Sequence, residues 1–302
     1  MLTALSFHCI STDVSESDVL NLIPPGVSYY HQSDRASATA TINRWRRTPE
    51  HVVSWDGFLG NVESYSPSDD PVYKMKDFKS QPNVVITNER DLETALSMNV
   101  YRLLRQLAGP QEQFSRPNVI PTRGDPDFIF FNTSPSLLLA IEVKTKHILS
   151  PDNLVQKYNS EMALFNADKV PSKSTVYQVR QIFGYLSWNE LQYGVLTTYE
   201  QTWFLKRNRG TLYVSPAIHY AKTNPTLFKC YACIMELARQ HPSNPPTPPP
   251  SPSPPDSPSH DNPDDSDYDS KGRNKRKRGT RSNEGLFQSK RQKGGSGSRG
   301  SN

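Results

Sequence analysis

The sequence predicts an α/β fold, a mixed sheet flanked by helices, followed by a disordered C-terminal tail. Three observations lead there. Apolar stripes with helical spacing alternate with short strand-like runs, in the order helix, strands, helix, strands, helix. The last 61 residues, from Pro242, hold only three apolar side chains (Tyr268, Leu286 and Phe287) and 11 of the 26 prolines. Without them, residues 1–241 are about 41% apolar with a net charge near +1, a normal globular composition and enough chain to bury a full core. The chain divides into residues 1–80, whose structure is hard to read, a domain over 81–240, and a tail over 241–302.

In the first region, Val52, Val53, Phe58, Leu59 and Val62 recur at helical spacing and predict a helix near Glu50 to Tyr65. Pro67 to Pro71 reads as a loop. Thr87 is a good N-cap. After it, Leu92, Ala95, Leu96, Val100, Leu103, Leu104 and Leu107 form one stripe that Gly109-Pro110 ends. Phe128–Phe131 and Leu137–Thr145 are predicted strands, joined as a hairpin through Asn132–Ser136. A helix is expected over Thr175–Asn189, strands over Tyr193–Tyr199, Thr202–Lys206 and Thr211–Val214, and a last helix from Pro225 to Arg239. The tail cannot bury enough apolar surface to fold. It runs from a proline-rich block (His241 to Pro258), which favours extended polyproline II, through an acidic block (Asp261 to Asp269) to a basic one, Lys271–Arg281. A second basic cluster follows at Lys290-Arg291-Gln292-Lys293. Such basic blocks serve as nuclear-import signals or nucleic-acid contacts; the plainer reading is a solvated linker.

Several classes are excluded. No run approaches the ~20 apolar residues that span a bilayer, so no membrane partner is expected. MLTALSFHCI lacks a basic start and is broken by Ser6 and His8, so a secretory signal is not expected. Three cysteines make no disulfide framework and favour a reducing compartment, nuclear if the basic block is an import signal and otherwise cytoplasmic. Cys230 and Cys233 lie in an apolar stretch with no second CxxC, and are expected as buried thiols on a helix rather than a zinc or redox site.

The chemistry concentrates in Arg123-Gly-Asp-Pro-Asp-Phe128 and Ile141-Glu-Val-Lys144. In a symmetric hairpin centred on Ser134/Pro135, Asp127 faces Glu142 and Asp125 faces Lys144. Asp127, Glu142 and Lys144 then share one face, while Leu137, Leu139, Ile141 and Val143 point to the core. Two carboxylates across a ladder repel, and a hard divalent cation with oxygen ligands relieves the repulsion. A nearby lysine suits the orientation of a water or phosphate. These are the parts of metal-assisted phosphodiester hydrolysis. The same residues also fit a structural hairpin in which Lys144 pairs with Asp125 or Asp127. Lys146 shares the face of Lys144, and His147 follows it as an ordinary strand end. Arg102 and Arg105 read as a solvated helix face, and Trp203 and Phe204 as core.

Pro126-Asp127 and Glu142-Val143-Lys144 resemble the two half-motifs of the PD-(D/E)xK nuclease superfamily, which has the restriction-endonuclease-like fold. The resemblance extends to an acidic residue on the preceding helix, Glu89 or Glu93, and to Gln181-Ile-Phe-Gly-Tyr185, which matches the QxxxY of RecB-like members. It covers about Asn83 to Val214. NERDLETALSMNVYRLLRQLAG, IEVKTKHIL and YGVLTTYEQTWFLKR are more narrowly similar to a fungal domain of this superfamily, often attached to protein kinases or found in Crinkler-type effectors. No HRD, DFG or glycine-rich nucleotide loop accompanies them here. The resemblance implies an endonuclease acting on DNA, or RNA, with Mg²⁺ or Mn²⁺ held by Asp127, Glu142 and the Val143 carbonyl. It further implies that Lys144 orients or deprotonates the attacking water, that Glu89 or Glu93 completes the acidic site, and that Gln181 and Tyr185 position it. The near-neutral body supports an alternative, a nuclease fold that no longer cuts and instead binds nucleic acid or a protein. A third reading gives the function to the tail, with PPTPPPSPSPP recruiting SH3- or WW-type domains and an import receptor binding Lys271–Arg281.

Overall fold

The computed structural model describes residues 13–30, 47–67, 73–74, 84–134, 136–165 and 174–241. The first ten residues, most of the Pro67–Pro71 loop and the tail from Pro242 lie outside the described residues. In chain order, β1 (Asp13–Val14), α1 (Glu16–Leu20), β2 (Ser28–Tyr29), β3 (His51–Ser54), α2 (Phe58–Ser64), β4 (Tyr73–Lys74) and β5 (Val85–Ile86) precede a long interrupted helix. That helix is α3 (Glu89–Leu96), a π turn (Ser97–Tyr101) and α4 (Arg102–Leu107). Then come β6 (Glu112–Ser115), β7 (Phe128–Asn132), β8 (Leu137–Val143), α5 (Leu154–Phe165) and α6 (Thr175–Trp188). The last elements are β9 (Tyr193–Thr197), β10 (Gln201–Asn208), β11 (Thr211–Val214), β12 (Ile218–His219) and α7 (Leu227–Gln240). No described helix is long and apolar enough to cross a membrane.

Eight strands form one mixed sheet in the order β3-β11-β10-β9-β8-β7-β6, with β12 pairing onto β10. β6, β7 and β8 are antiparallel neighbours, as are β9, β10 and β11. β8 runs parallel to β9 and β11 to β3. A parallel step needs a crossover, which α5 and α6 supply between β8 and β9. Helices cover both faces. Leu139, Ile141, Val143, Val195 and Phe204 pack in one core with side chains of α3, α4 and α7. Ala140, Leu196, Trp203 and Leu205 pack in the other with side chains of α5 and α6. With both faces covered, β8 reads as a nearly continuous apolar run. Glu142 is the exception in that run, an acid at 1% exposure.

The β7–β8 register agrees with the sequence expectation where it matters. Phe128 pairs with Ile141, Ile129 with Ala140 and Phe130 with Leu139, so continuing the ladder sets Asp127 opposite Glu142. Beyond that the register shifts, Phe131 pairing with Leu137, which leaves Leu138 as a bulge. The bulge carries Leu137 off the face of Leu139 and Ile141, and it packs against the opposite core. The expectation of one core face over Leu137 to Val143 is corrected at that residue.

Two further expectations are corrected. The helix read near Glu50 to Tyr65 is a strand and a shorter helix. Val52 and Val53 belong to β3, where alternation buries Val52 and exposes Val53, and β3 pairs with β11. Helical spacing misled because apolar residues on either side of a tight turn mimic it. The α3 N-cap is Asn88, whose Oδ1 accepts the Asp91 N–H at 3.1 Å. Thr87 instead donates its N–H and its hydroxyl to the Asp91 carboxylate.

Candidate metal centre

The centre is assembled from three elements. Asn88 starts α3, so Glu89 and Glu93 stand one turn apart on one face. Asp127 immediately precedes β7, and Glu142 and Lys144 flank Val143 at the end of β8. Packing of α3 onto the sheet brings one oxygen each of Glu89, Glu93 and Asp127 within 4.8 Å of one another. The Val143 N–H donates to Asp127 Oδ2 at 2.7 Å and fixes that carboxylate against β8. Lys144 Nζ contacts Glu142 Oε1 directly and lies 3.4 Å from Glu89 Oε1. Lys144 therefore pairs with neither Asp125 nor Asp127. Arg116 reaches Glu93 at 2.5 Å. The second oxygen of Glu142, Oε2, is buried and makes no hydrogen bond.

Four carboxylates thus face two cations, Lys144 and Arg116, and the acidic side is in excess by two. Burial raises the Asp127 carboxyl to about 7, with Lys144 and the Val143 N–H opposing and Glu89 and Glu93 adding to the rise. Burial also pushes Glu142 up, against the lowering effect of Lys144. For Lys144, burial acts downward, but Glu142, Glu89 and Asp127 outweigh it and the ammonium is held above its ordinary value. The surrounding carboxylates favour the charged form of Lys144, while burial favours the neutral forms of Asp127 and Glu142.

Gln181 and Tyr185 stand behind this cluster on α6. Gln181 Nε2 donates to the Tyr185 hydroxyl at 2.9 Å, and that hydroxyl donates to the Asp125 carbonyl at 3.0 Å. Both side chains hold the backbone that leads to Asp127. The Tyr185 ring covers Gly124, whose φ is +89° and where an added Cβ falls 2.5 Å from Cδ1 of that ring. Only glycine accommodates both conditions.

The remaining candidates lie apart from the cluster. Lys146 pairs with Glu200 at 2.9 Å and sits 3.9 Å over the Tyr29 ring. His147 meets Tyr29 edge-on. Arg102 and Arg105 are on the exposed side of α4, and Trp203 and Phe204 are core. Cys230 and Cys233 are buried on α7, where burial raises their thiols to about 12 and about 11. Arg116 was not legible as a participant, because it belongs to the connection after β6 and nothing local marks it.

Oxygen donors this close, with an excess of negative charge and an unpartnered buried oxygen on Glu142, fit a hard divalent cation such as Mg²⁺ or Mn²⁺.

No known family profile matches the sequence, and no curated protein matches it. Among solved structures the chain is similar to the type IIG restriction endonuclease BpuSI, at 16% identity and a TM-score of 0.21. The alignment covers 50% of this chain and 15% of that one.

Proposed function

We propose that residues 81–240 form a PD-(D/E)xK nuclease-like domain that hydrolyses phosphodiester bonds in DNA, or RNA, with a divalent metal. The convergence of Glu89, Glu93 and Asp127 beside the Glu142–Lys144 pair carries this reading. Asp127, Glu142 and one of the α3 carboxylates would hold Mg²⁺ or Mn²⁺. A bound divalent ion stabilises charge on phosphoryl oxygens and lowers the pKa of a coordinated water. Lys144, held protonated by its neighbours, acts as a fixed donor that orients the nucleophile or steadies the phosphate, rather than as its base. Gln181 and Tyr185 hold the Asp125 carbonyl, two residues before Asp127. Plasmid and single-stranded DNA incubated with Mg²⁺, Mn²⁺ or EDTA test the reading. Metal-dependent nicking that Lys144→Ala removes from a folded protein supports it, and no cleavage of any nucleic acid under any condition overturns it.

One observation favours a second reading. Lys144 is buried and engaged by two carboxylates, so the centre is partly neutralised without a metal. A fold stable in that state suits a binding module that no longer cuts, an effector or kinase-associated domain of the fungal kind that the sequence resembles. Retained nucleic-acid binding without cleavage identifies it.

A further inference from the structure

We propose that Asn189 is a positioning residue for the acidic centre, acting through the segment Arg123–Asp125; the inference rests on the metal-centre reading above. Asn189 extends the Gln181–Tyr185 row by one more step of four residues, which keeps it on the same side of α6. As the C-cap residue of α6 it makes three hydrogen bonds through its side chain. Its Oδ1 accepts the Arg123 N–H at 2.8 Å, and its Nδ2 donates to the Arg123 carbonyl at 2.8 Å and to the Tyr185 carbonyl at 2.8 Å. One side chain thus holds both backbone groups of Arg123 and ties them to the helix that grips the next two residues.

The clamp is continuous. Asn189 holds Arg123, the Tyr185 ring covers Gly124, and the Tyr185 hydroxyl holds the Asp125 carbonyl. Arg123 answers with its guanidinium, Nη1 lying 3.4 Å from the Trp188 carbonyl. Two residues after Asp125 comes Asp127. The connection between β6 and β7 spans residues 116–127 and contains only a single 3-10 turn at Pro117–Val119. Arg123, Gly124 and Asp125 are all exposed, so burial does not immobilise them. Each backbone residue left free costs conformational entropy to order. Without the clamp, that cost would fall on the event that needs Asp127 in place, the capture of the cation. Only a neutral amide fits: an aspartate at 189 would present a carboxylate to two carbonyl oxygens, and an alanine would hold nothing.

The test uses the full chain as wild type, Asn189→Ala and Asn189→Asp, with two readouts below the melting temperature of every variant. Amide hydrogen exchange at residues 123–125 reads the clamp, and calorimetric titration with Mn²⁺ alone reads the centre. We expect faster exchange in both variants and a Mn²⁺ Kd weaker by about 10- to 100-fold, the range of supporting-residue losses at metal sites. Variants whose exchange quickens while Kd stays at the wild-type value show a merely structural cap and overturn the inference alone. Unchanged exchange at 123–125 overturns the clamp itself. A wild type that binds no Mn²⁺ brings down the metal centre and this inference together. Should Asn189→Ala fail to fold, Asn189→Asp, which keeps an acceptor for the Arg123 N–H, decides on the same two readouts.

Discussion

Asp127 carries a carboxyl raised to about 7 in the folded chain, against the usual value near 4 in an unfolded one. A raised acid favours the folded state below its unfolded pKa, and that contribution is lost as pH rises toward 7. Asp127→Asn removes the titration and the repulsion while keeping an acceptor for the Val143 N–H. In EDTA the variant should melt no lower than wild type at pH 5, with its relative advantage growing up to about pH 7.5. Mn²⁺ should raise the wild-type melting temperature, by an amount equivalent to about 2.7 kcal/mol at 100 times Kd, and the variant's much less. Melting curves across that pH range, with and without metal, check both; a variant that melts lower at every pH would return Asp127 to a structural role. Gly124→Ala makes a second case, since it combines a positive φ with overlap on the Tyr185 ring. It should cost about 1–3 kcal/mol in denaturant unfolding, and an unaltered midpoint would refute the close packing. At this scale the sequence was informative where spacing encodes contact, as in Pro-Asp and Glu-Val-Lys across a hairpin. It was silent on Arg116 and on the joint presence of Glu89 and Glu93, because those depend on how α3 lands on the sheet.

Elements with both faces buried declare themselves by nearly uninterrupted apolar runs, which is why β7, β8 and β9 stood out. β6 did not, because EQFS is an edge strand whose four residues are each half-buried. Neither did α5, which spreads Leu154, Tyr158 and Met162 among polar residues. The bulge at Leu138 was invisible, since nothing in LLLAIEV distinguishes a skipped residue from a paired one. At the end of β8, the Glu142–Lys144 pair is an ionic contact next to an otherwise apolar strand. Removing one member of such a pair typically costs about 3–5 kcal/mol, whereas replacing both with apolar groups is often neutral. Lys144→Met should therefore unfold at distinctly lower denaturant, and Glu142→Leu combined with Lys144→Met should recover most of the loss. Additive losses in the double-mutant cycle would show that the two side chains do not stabilise each other.

For the whole molecule, the change of composition at Pro242 was the clearest signal, and β3 was the least clear. Glu50 to Tyr65 read as a helix, yet β3 joins the far edge of the main sheet through β11, a pairing 160 positions apart that no local pattern announces. A chain ending at Gln240 should melt at the full-length temperature, because the residues removed carry almost no apolar area. The same truncation should lose nuclear accumulation if Lys271–Arg281 is the import signal. Wild-type nuclear enrichment of the truncated chain, seen by fluorescence microscopy, would move that role elsewhere.

The π turn at Ser97–Tyr101 sets the angular phase between two halves of one helix. It places three consecutive residues, Asn99, Val100 and Tyr101, in the interior, where Tyr101 packs on Phe114 and Phe128. A π turn amounts to one residue inserted into an α-helix. Removing one residue there would return the helix to regular pitch and rotate everything before it by about 100° relative to everything after it. The leucines of α4 would stay seated while Glu89 and Glu93 swung off the sheet, together with the buried Leu92, Ala95 and Leu96. Deleting exposed Ser97 is therefore expected to abolish the metal-induced rise in melting temperature and to lower the melting temperature itself, so that a single codon undoes both the charged centre and the seating of its helix.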